Sequence, residues 1–187
     1  MKKFWNLFLA AIILCGTAAV LTACGGDDDD KDNPQPKSDT LQKVKVTYTL
    51  AVSPTLLKEF RVHAYSNDGS GSSSVPETVE KATWQKTIEV EASKLPQTFQ
   101  CYFALAPINR ETGATTTENG NVEIDYALSI IPIKANGLAG DTRQLEDKFR
   151  GVLESSKTVL RTFAQEANSC NRLTMRVDKE GNVEIIK

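Results

Sequence analysis

Carboxylate pairs are the first residues whose type and spacing could do chemistry. Glu123 and Asp125 stand two residues apart, as do Glu89 and Glu91. In a strand, this spacing places two carboxylates on one face, roughly 6 to 7 Å apart, which overlaps the range of paired glycosidase carboxylates. A catalytic pair normally comes from different elements that flank a cleft. We therefore interpret both pairs as charges on solvated strand faces.

Imidazole and thiol groups are too few for a triad or a transition-metal site. His63 is the single histidine of the chain, and no nucleophile motif lies near it in the sequence. One histidine and two separated cysteines, Cys101 and Cys170, make no ligand cluster. We expect a protein that is not an enzyme and that holds no metal and no cofactor.

Cys101 and Cys170 leave two interpretations open for a protein outside the cytoplasm. A disulfide between them would close a loop of ~70 residues and stabilise the fold by about 4 kcal/mol on the chain-entropy model. Alternation along the predicted strand turns Cys101 toward the core, however, and this favours two separate thiols.

Exposed aromatic rings could bind a carbohydrate by stacking on a sugar ring. Tyr65 and Tyr102 fall on the outward faces of their predicted strands, so they are the candidates for ligand stacking. The same alternation turns Trp84 inward, and we expect it in the core.

Composition places the chain among ordinary globular proteins. Of its 187 residues, 40% are hydrophobic and 25% are charged, unlike a disordered, collagen-like or multi-pass membrane protein. The 22 Lys and Arg residues are balanced by 24 Asp and Glu residues. Because this balance provides no large positive field for a nucleic acid backbone, nucleic acid is not an expected partner.

Residues 1–23 have the pattern of a signal peptide. Lys2 and Lys3 make a basic start, and residues 4–20 are almost wholly apolar. This run is at or below the ~18 to 20 residues that span a bilayer, and no basic stop-transfer flank follows it. We therefore expect a cleaved signal and not a permanent membrane-spanning anchor.

The tetrapeptide Leu21-Thr22-Ala23-Cys24 resembles the lipobox of bacterial lipoproteins. The resemblance implies that the Cys24 thiol is diacylated, that the peptide is cut before it, and that the new amino group is acylated with a chain such as palmitate. One acyl chain gives marginal attachment, whereas two or three hold a protein on a membrane. The implied contact with the membrane is therefore the lipid anchor on Cys24.

Residues 24–40 form a polar linker that starts with an acidic tract, Asp27, Asp28, Asp29 and Asp30. Such a tract after a lipidated cysteine resembles the export signal of Bacteroidota surface lipoproteins, and it implies an outer-membrane protein that faces outward. A calcium loop through these acids is a poor alternative, because prolines stiffen the segment and no helices flank it. An inert, solvated spacer is the other alternative.

The end of the linker, Asp39-Thr40-Leu41, resembles the acceptor sequence of O-glycosylation in Bacteroidota. The resemblance implies that Thr40 carries the glycan, which would shield the linker. So short a pattern also arises by chance, and its position in an exposed linker is what favours the interpretation.

Residues 41–187 are predicted to form one domain that is mainly β. Apolar and polar residues alternate in five segments, at 44–52, 60–65, 84–90, 99–105 and 122–130, which predicts five strands. Two further strands, 173–177 and 183–185, flank a turn and predict a final hairpin. Pro132 is expected to end the fifth strand or to place it at an edge.

The apolar spacing changes to three and four residues before the final hairpin. The positions are Leu145, Phe149, Val152, Leu153, Leu160, Phe163, Ala164 and Ala167. This spacing predicts an amphipathic helical segment, with Asp141 and Gln144 as its capping box. Gly151 and Ser155-Ser156 could divide it into two helices.

These elements predict an antiparallel, immunoglobulin-like β-sandwich with a C-terminal helical segment and a final hairpin. Residues 43–108 also resemble small Bacteroidota cell-surface lipoproteins of undefined role. The shared motifs are a Tyr-containing strand at 46–50, the turn Ser53-Pro54-Thr55-Leu56-Leu57, Trp84 and Leu95-Pro96. This resemblance supports the sandwich and supplies no catalytic residue.

Together, these features predict a surface-exposed lipoprotein of the outer membrane whose sandwich is a non-enzymatic binding or structural module. We expect its partner to be an extracellular protein in preference to a glycan. The alternative is a glycan-binding accessory lipoprotein of a polysaccharide-uptake system, and a small hydrolase is a distant third.

Overall fold

The computed structural model describes residues 39–67, 69, 76–170 and 172–186. They belong to one compact unit, Gln35–Lys187. Cys24 and the acidic tract lie outside the described residues, so lipidation and export stay predictions. Among the described residues, no helix is long and apolar enough to cross a membrane.

The described residues form nine strands and two α-helices. In chain order they are β1 (Leu41–Val52), α1 (Pro54–Glu59), β2 (Phe60–Ser66), β3 (Glu77–Val79), β4 (Thr83–Glu91), β5 (Gln97–Pro107), β6 (Gly120–Lys134), β7 (Arg143–Leu153), α2 (Leu160–Asn168), β8 (Leu173–Val177) and β9 (Val183–Ile186), with a 3-10 turn at Ala92–Lys94. The first sheet has the order β4-β1-β6-β7, and the second has the order β3-β2-β5-β8-β9. The predicted β-sandwich with a late helix and a final hairpin is confirmed.

The core lies between the two sheets and is built from alternate residues of each strand. In β1 the buried residues are Val44, Val46, Tyr48, Leu50 and Val52. In β5, across the core, they are Phe99, Cys101, Phe103 and Leu105. Full burial of a leucine side chain stabilises the fold by about 1.5 to 3 kcal/mol relative to its exposure. The intervening residues form the outer faces, which carry the polar groups described below.

The predicted helical segment is wrong in its first half. Residues 143–153 form β7, which pairs with β6 from Arg143 to Leu153. Gln144 therefore lies in a strand and forms no capping box with Asp141. Only Leu160–Asn168 is helical. The cause is that Asp147 and Gly151 occupy inward positions of β7 and interrupt its apolar alternation.

Pro132 does not end β6, which runs on to Lys134. Pairing with β7 stops at Ile130, whereas pairing with β1 continues past Pro132. Pro132 therefore lies where β6 has lost one strand neighbour, and its missing N–H leaves no gap in the ladder. The alternation of apolar and polar residues predicts neither α1, which begins at Pro54 as proline favours, nor the three-residue strand β3.

Helix α2 closes one flank of the sandwich, beside the edge strand β7. The ring of Phe163 lies 5.5 Å from that of Phe149 in β7 and 5.5 Å from that of Phe60 in β2. One aromatic side chain of the helix thus contacts strands of both sheets, so α2 joins the sheets on this flank.

Candidate functional site

The two tyrosines predicted to stack on a ligand meet on the outer face of the second sheet. Tyr65 of β2 and Tyr102 of β5 are partners in the strand register. Their rings are stacked, with centroids 4.5 Å apart and planes inclined by 8°. Arg172, just before β8, places its guanidinium carbon 4.2 Å from the centre of the Tyr102 ring. These three residues are called the tyrosine–arginine row.

The planar groups of the row stand side by side across the strands. Because Cys101 pairs with Leu173, Arg172 lies level with Tyr102 and on the side away from Tyr65. The two neighbours therefore cover both faces of the Tyr102 ring. Arg172 is exposed, whereas Tyr65 and Tyr102 are half-buried, and the edge of an aromatic ring is the positive part of its quadrupole. Such a surface favours binding of a hydrogen-bond acceptor or an anion.

Two more arginines lie on the same outer face. Since Phe60 and Val62 of β2 are buried, Arg61 between them faces outward, and alternation in β8 turns Arg176 outward as well. Ion pairs within the described part of the chain involve none of Arg61, Arg172 and Arg176. All three side chains are exposed.

His63 lies on this face too, between Thr78 of β3 and Ala104 of β5. Its Nδ1 is buried and has no hydrogen-bond partner among the described groups. Cys101 points to the other side of the same sheet, into the core. His63 and Cys101 are therefore not placed as a base and its nucleophile.

The carboxylates Glu123 and Asp125 lie on the outer face of the first sheet, opposite two bases of β7. The Lys148 ammonium lies 3.0 Å from Asp125 Oδ1 and 3.4 Å from Glu123 Oε1. Arg150 Nε lies 3.4 Å from Glu123 Oε2. Two acids and two bases thus form a cross-strand network that neutralises its own charge.

The environment shifts the pKa values of the two carboxyls in opposite directions. The side chain of Asp125 is only 5% exposed, and this burial raises its pKa against the effect of Lys148, while Glu123 adds to the rise. Burial alone would raise the pKa of Glu123 as well. Its interactions with the Asp125 carboxyl and with the charge of Lys148 outweigh burial and lower this pKa overall. Structural ion-pair networks perturb pKa values as catalytic sites do. Both carboxyls come from one strand, so they do not flank a substrate from two sides.

Both cysteine thiols are free. Burial raises the pKa of Cys101 to about 12. Burial, and then the negative charge of Asp147, raise the pKa of Cys170. Because the thiolate is the nucleophilic form, both shifts oppose nucleophilic chemistry. Among the described side chains, no group of three or more His, Cys, Asp or Glu could hold a metal ion.

A surface cleft of about 350 Å³ lies between β7 and α2, and sequence reasoning missed it because it depends on where α2 packs. It is lined by residues 149–152, 157–159, 162, 163 and 166. Its charged groups are Arg150, Lys157 and Glu166, so it presents both signs and selects neither anions nor cations.

The loops at one end of the sandwich are organised around Glu59. Its Oε1 accepts hydrogen bonds from Thr117 N and Oγ1, both at 2.7 Å, and from Thr116 Oγ1 at 3.0 Å. Its carbonyl accepts the N–H of Ile108 at 2.9 Å. The end of α1 and the loop 108–119 are thereby held together as the Glu59 loop cluster.

The chain enters the sandwich at the opposite end. Thr40, the predicted glycan acceptor, is exposed there, and its carbonyl accepts the N–H of Ala135 at 2.8 Å. Asp39 pairs with Lys134 at 3.1 Å. The 12 residues of β1 then cross roughly 40 Å to reach α1.

The fold and these surfaces define a two-sheet antiparallel β-sandwich whose second sheet carries three exposed arginines, Arg61, Arg172 and Arg176, at its outer face. No protein-family model, curated protein or solved structure matches the chain. Alternation alone placed Tyr65 and Tyr102 outward, and the same signal could have found Arg61 and Arg176. The position of Arg172 beside Tyr102 required the pairing of β5 with β8.

Proposed function

We propose that the protein is a non-enzymatic lipoprotein of the outer membrane, anchored through Cys24 and displayed at the cell surface, with the sandwich as a binding or structural module. The observation that carries this proposal is where the chain enters the domain. β1 begins at Leu41, directly after the linker, and runs to the opposite end of the sandwich. The Glu59 loop cluster and both sheet faces are then available to an extracellular partner.

The chemistry of the described side chains supports binding in preference to catalysis. The raised thiol pKa values, the separation of His63 from Cys101 and the self-neutralised network at Asp125 each suit a structural role. Tightly held loops, as at Glu59, suit recognition because little conformational entropy is lost when they bind.

Protease treatment of intact cells tests the location. Wild-type protein is expected to be cut from outside, whereas a variant with Asp27 to Asp30 replaced by Ala is expected to be protected until lysis. Replacing Asn33 and Gln35 by Ala in the same linker is the matched control and should leave cutting unchanged. Cys24→Ala should lose both palmitate labelling and membrane association. Wild-type protein that is cut only after lysis would contradict surface display and point to the periplasm.

A glycan-binding accessory role is the second candidate, and the tyrosine–arginine row favours it. The row places the exposed guanidinium of Arg172, which forms no ion pair with a described residue, beside two tyrosine rings on a broad sheet face. Retention on immobilised polysaccharide should fall when Tyr65 and Tyr102 are both replaced by Ala, because the support for Arg172 is lost as well. Unchanged retention would reject this use of the row.

A further inference from the structure

The outer faces of the two sheets differ in their balance of acidic and basic side chains. On the first sheet acids and bases occur in similar numbers and several of them pair, for example Lys43 with Glu89 at 2.7 Å and Lys148 with Asp125 at 3.0 Å. On the second sheet Arg176 has Glu184 as its register partner, yet the two form no ion pair. At the outward strand positions of the second sheet, three exposed arginines stand against one carboxylate, Glu184, so this face has a net positive charge that favours a ligand of opposite charge.

The three arginines succeed one another along the second sheet. In the register of β5, Arg61 lies level with Ala106, Arg172 with Tyr102 and Arg176 with Thr98. These positions of β5 are four residues apart, so the charges follow one another at intervals of roughly 13 Å, over roughly 27 Å of sheet. A ligand that reaches all of them must be extended and must carry repeated negative charges.

The groups on this face favour a polysaccharide over a peptide. An extended peptide binds a sheet along its edge, where main-chain N–H and C=O groups are free. An outer face offers only side chains, and here these are guanidinium forks and tyrosine ring edges. A guanidinium binds a carboxylate through two parallel hydrogen bonds, and ring edges with hydroxyl groups suit sugar oxygens.

We propose that this face binds an acidic polysaccharide, with uronic-acid carboxylates on Arg61, Arg172 and Arg176 and sugar rings along Tyr65 and Tyr102. This inference rests on the glycan-binding candidate function and is independent of surface display. It also assigns the tyrosines a role different from face-on stacking, because the face of each ring toward its partner is covered.

Calorimetry with the mature lipoprotein in detergent tests the proposal, using polygalacturonate as the acidic polymer and its methyl ester as the uncharged match. Wild-type protein is expected to bind polygalacturonate, with affinity that falls as salt is added, and not to bind the ester. Arg172→Gln should weaken binding about tenfold or more. The triple variant R61Q/R172Q/R176Q should abolish binding. Arg172→Lys, which keeps the charge and loses the fork, should fall between.

Arg161→Gln is the matched control, because Arg161 is an exposed arginine on α2, away from this face, and it should bind like the wild type. Arg61, Arg172 and Arg176 are all exposed, so unfolding temperatures should stay unchanged. Four results would overturn the proposal: no binding by the wild type, equal binding of the ester, equal losses in Arg161→Gln and Arg172→Gln, or equally tight binding of poly-L-glutamate. None of them bears on the protease experiment, so failure of this inference is distinguishable from failure of surface display.

Discussion

The side-chain amide of Asn168 makes two hydrogen bonds with the main chain of Leu105. Its Nδ2 donates to the Leu105 carbonyl at 3.0 Å, and its Oδ1 accepts the Leu105 N–H at 2.6 Å. β8 pairs with β5 only as far as Cys101, so Leu105 has no strand beside it on that side. The last residue of α2 thus takes the place of a strand partner and holds the helix on the flank.

Replacing Asn168 by Ala removes both of these hydrogen bonds. The buried main-chain groups of Leu105 would lose their protein partner, and the free energy of unfolding is expected to fall by about 1 to 3 kcal/mol. Urea unfolding measures it, with Gln165→Ala, at an exposed position of the same helix, as the control. Equal midpoints for the two variants would show that the amide contributes nothing.

Gly151 should not tolerate a side chain. A Cβ at this position would lie 2.7 Å from two ring atoms of Phe163, so Gly151→Ala is expected to cost about 1 to 3 kcal/mol of stability. Gly140→Ala is the matched control, since its Cβ would meet nothing nearer than 3.5 Å. Adding Phe163→Leu to Gly151→Ala should recover part of the loss caused by the alanine. Strict additivity of the two changes would contradict the clash.

Glu59 should make the fold sensitive to acid. Burial alone would raise the pKa of this carboxyl, but hydrogen bonds from Thr117 and Thr116 outweigh burial and hold the pKa below its ordinary value. A carboxyl with a lowered pKa stabilises the fold above its unfolded pKa of about 4.3, and this contribution disappears as the pH falls through the folded value.

Glu59→Gln should therefore make the free energy of unfolding less dependent on pH in the acidic range. Unfolding followed between about pH 6 and pH 3 is expected to show a smaller loss of stability in the variant than in the wild type. Glu80→Gln, at an exposed glutamate, should keep the wild-type slope. A wild-type slope in Glu59→Gln would mean that the carboxylate charge is not what holds the loop 108–119.

The two thiols should react slowly in the native protein and differ from each other. With a pKa of about 12, Cys101 is a thiolate in roughly one molecule in ten thousand at pH 8, and it is buried in addition. Cys170 is only partly buried, so its thiol should react first with Ellman's reagent. In the native state, the Cys170→Ser variant should therefore react hardly at all with Ellman's reagent, whereas the Cys101→Ser variant should react like the wild type. If the wild type, denatured without reductant, yields no thiol from either cysteine, they form a disulfide in the cell.

Local alternation was enough to predict most strands and the direction of their side chains. Val44, Val46 and Leu50 are buried as the pattern of β1 indicates, and Cys101 points inward while Tyr102 points outward. Successive side chains of a strand leave the backbone on opposite sides, so this information is contained in the neighbouring residues themselves.

The tertiary structure alone decided that residues 143–153 form a strand. Their inward positions include Asp147, which is accommodated because Tyr126 Oη donates to its Oδ2 at 2.9 Å, and Gly151, where the ring of Phe163 fills the space. The remaining apolar residues are spaced as in a helix. The partners that make the strand favourable come from other elements, as Arg172 reaches Tyr102 only because β8 pairs with β5. Side-chain direction is a local property of the backbone, whereas these contacts depend on long-range pairing that no single segment specifies.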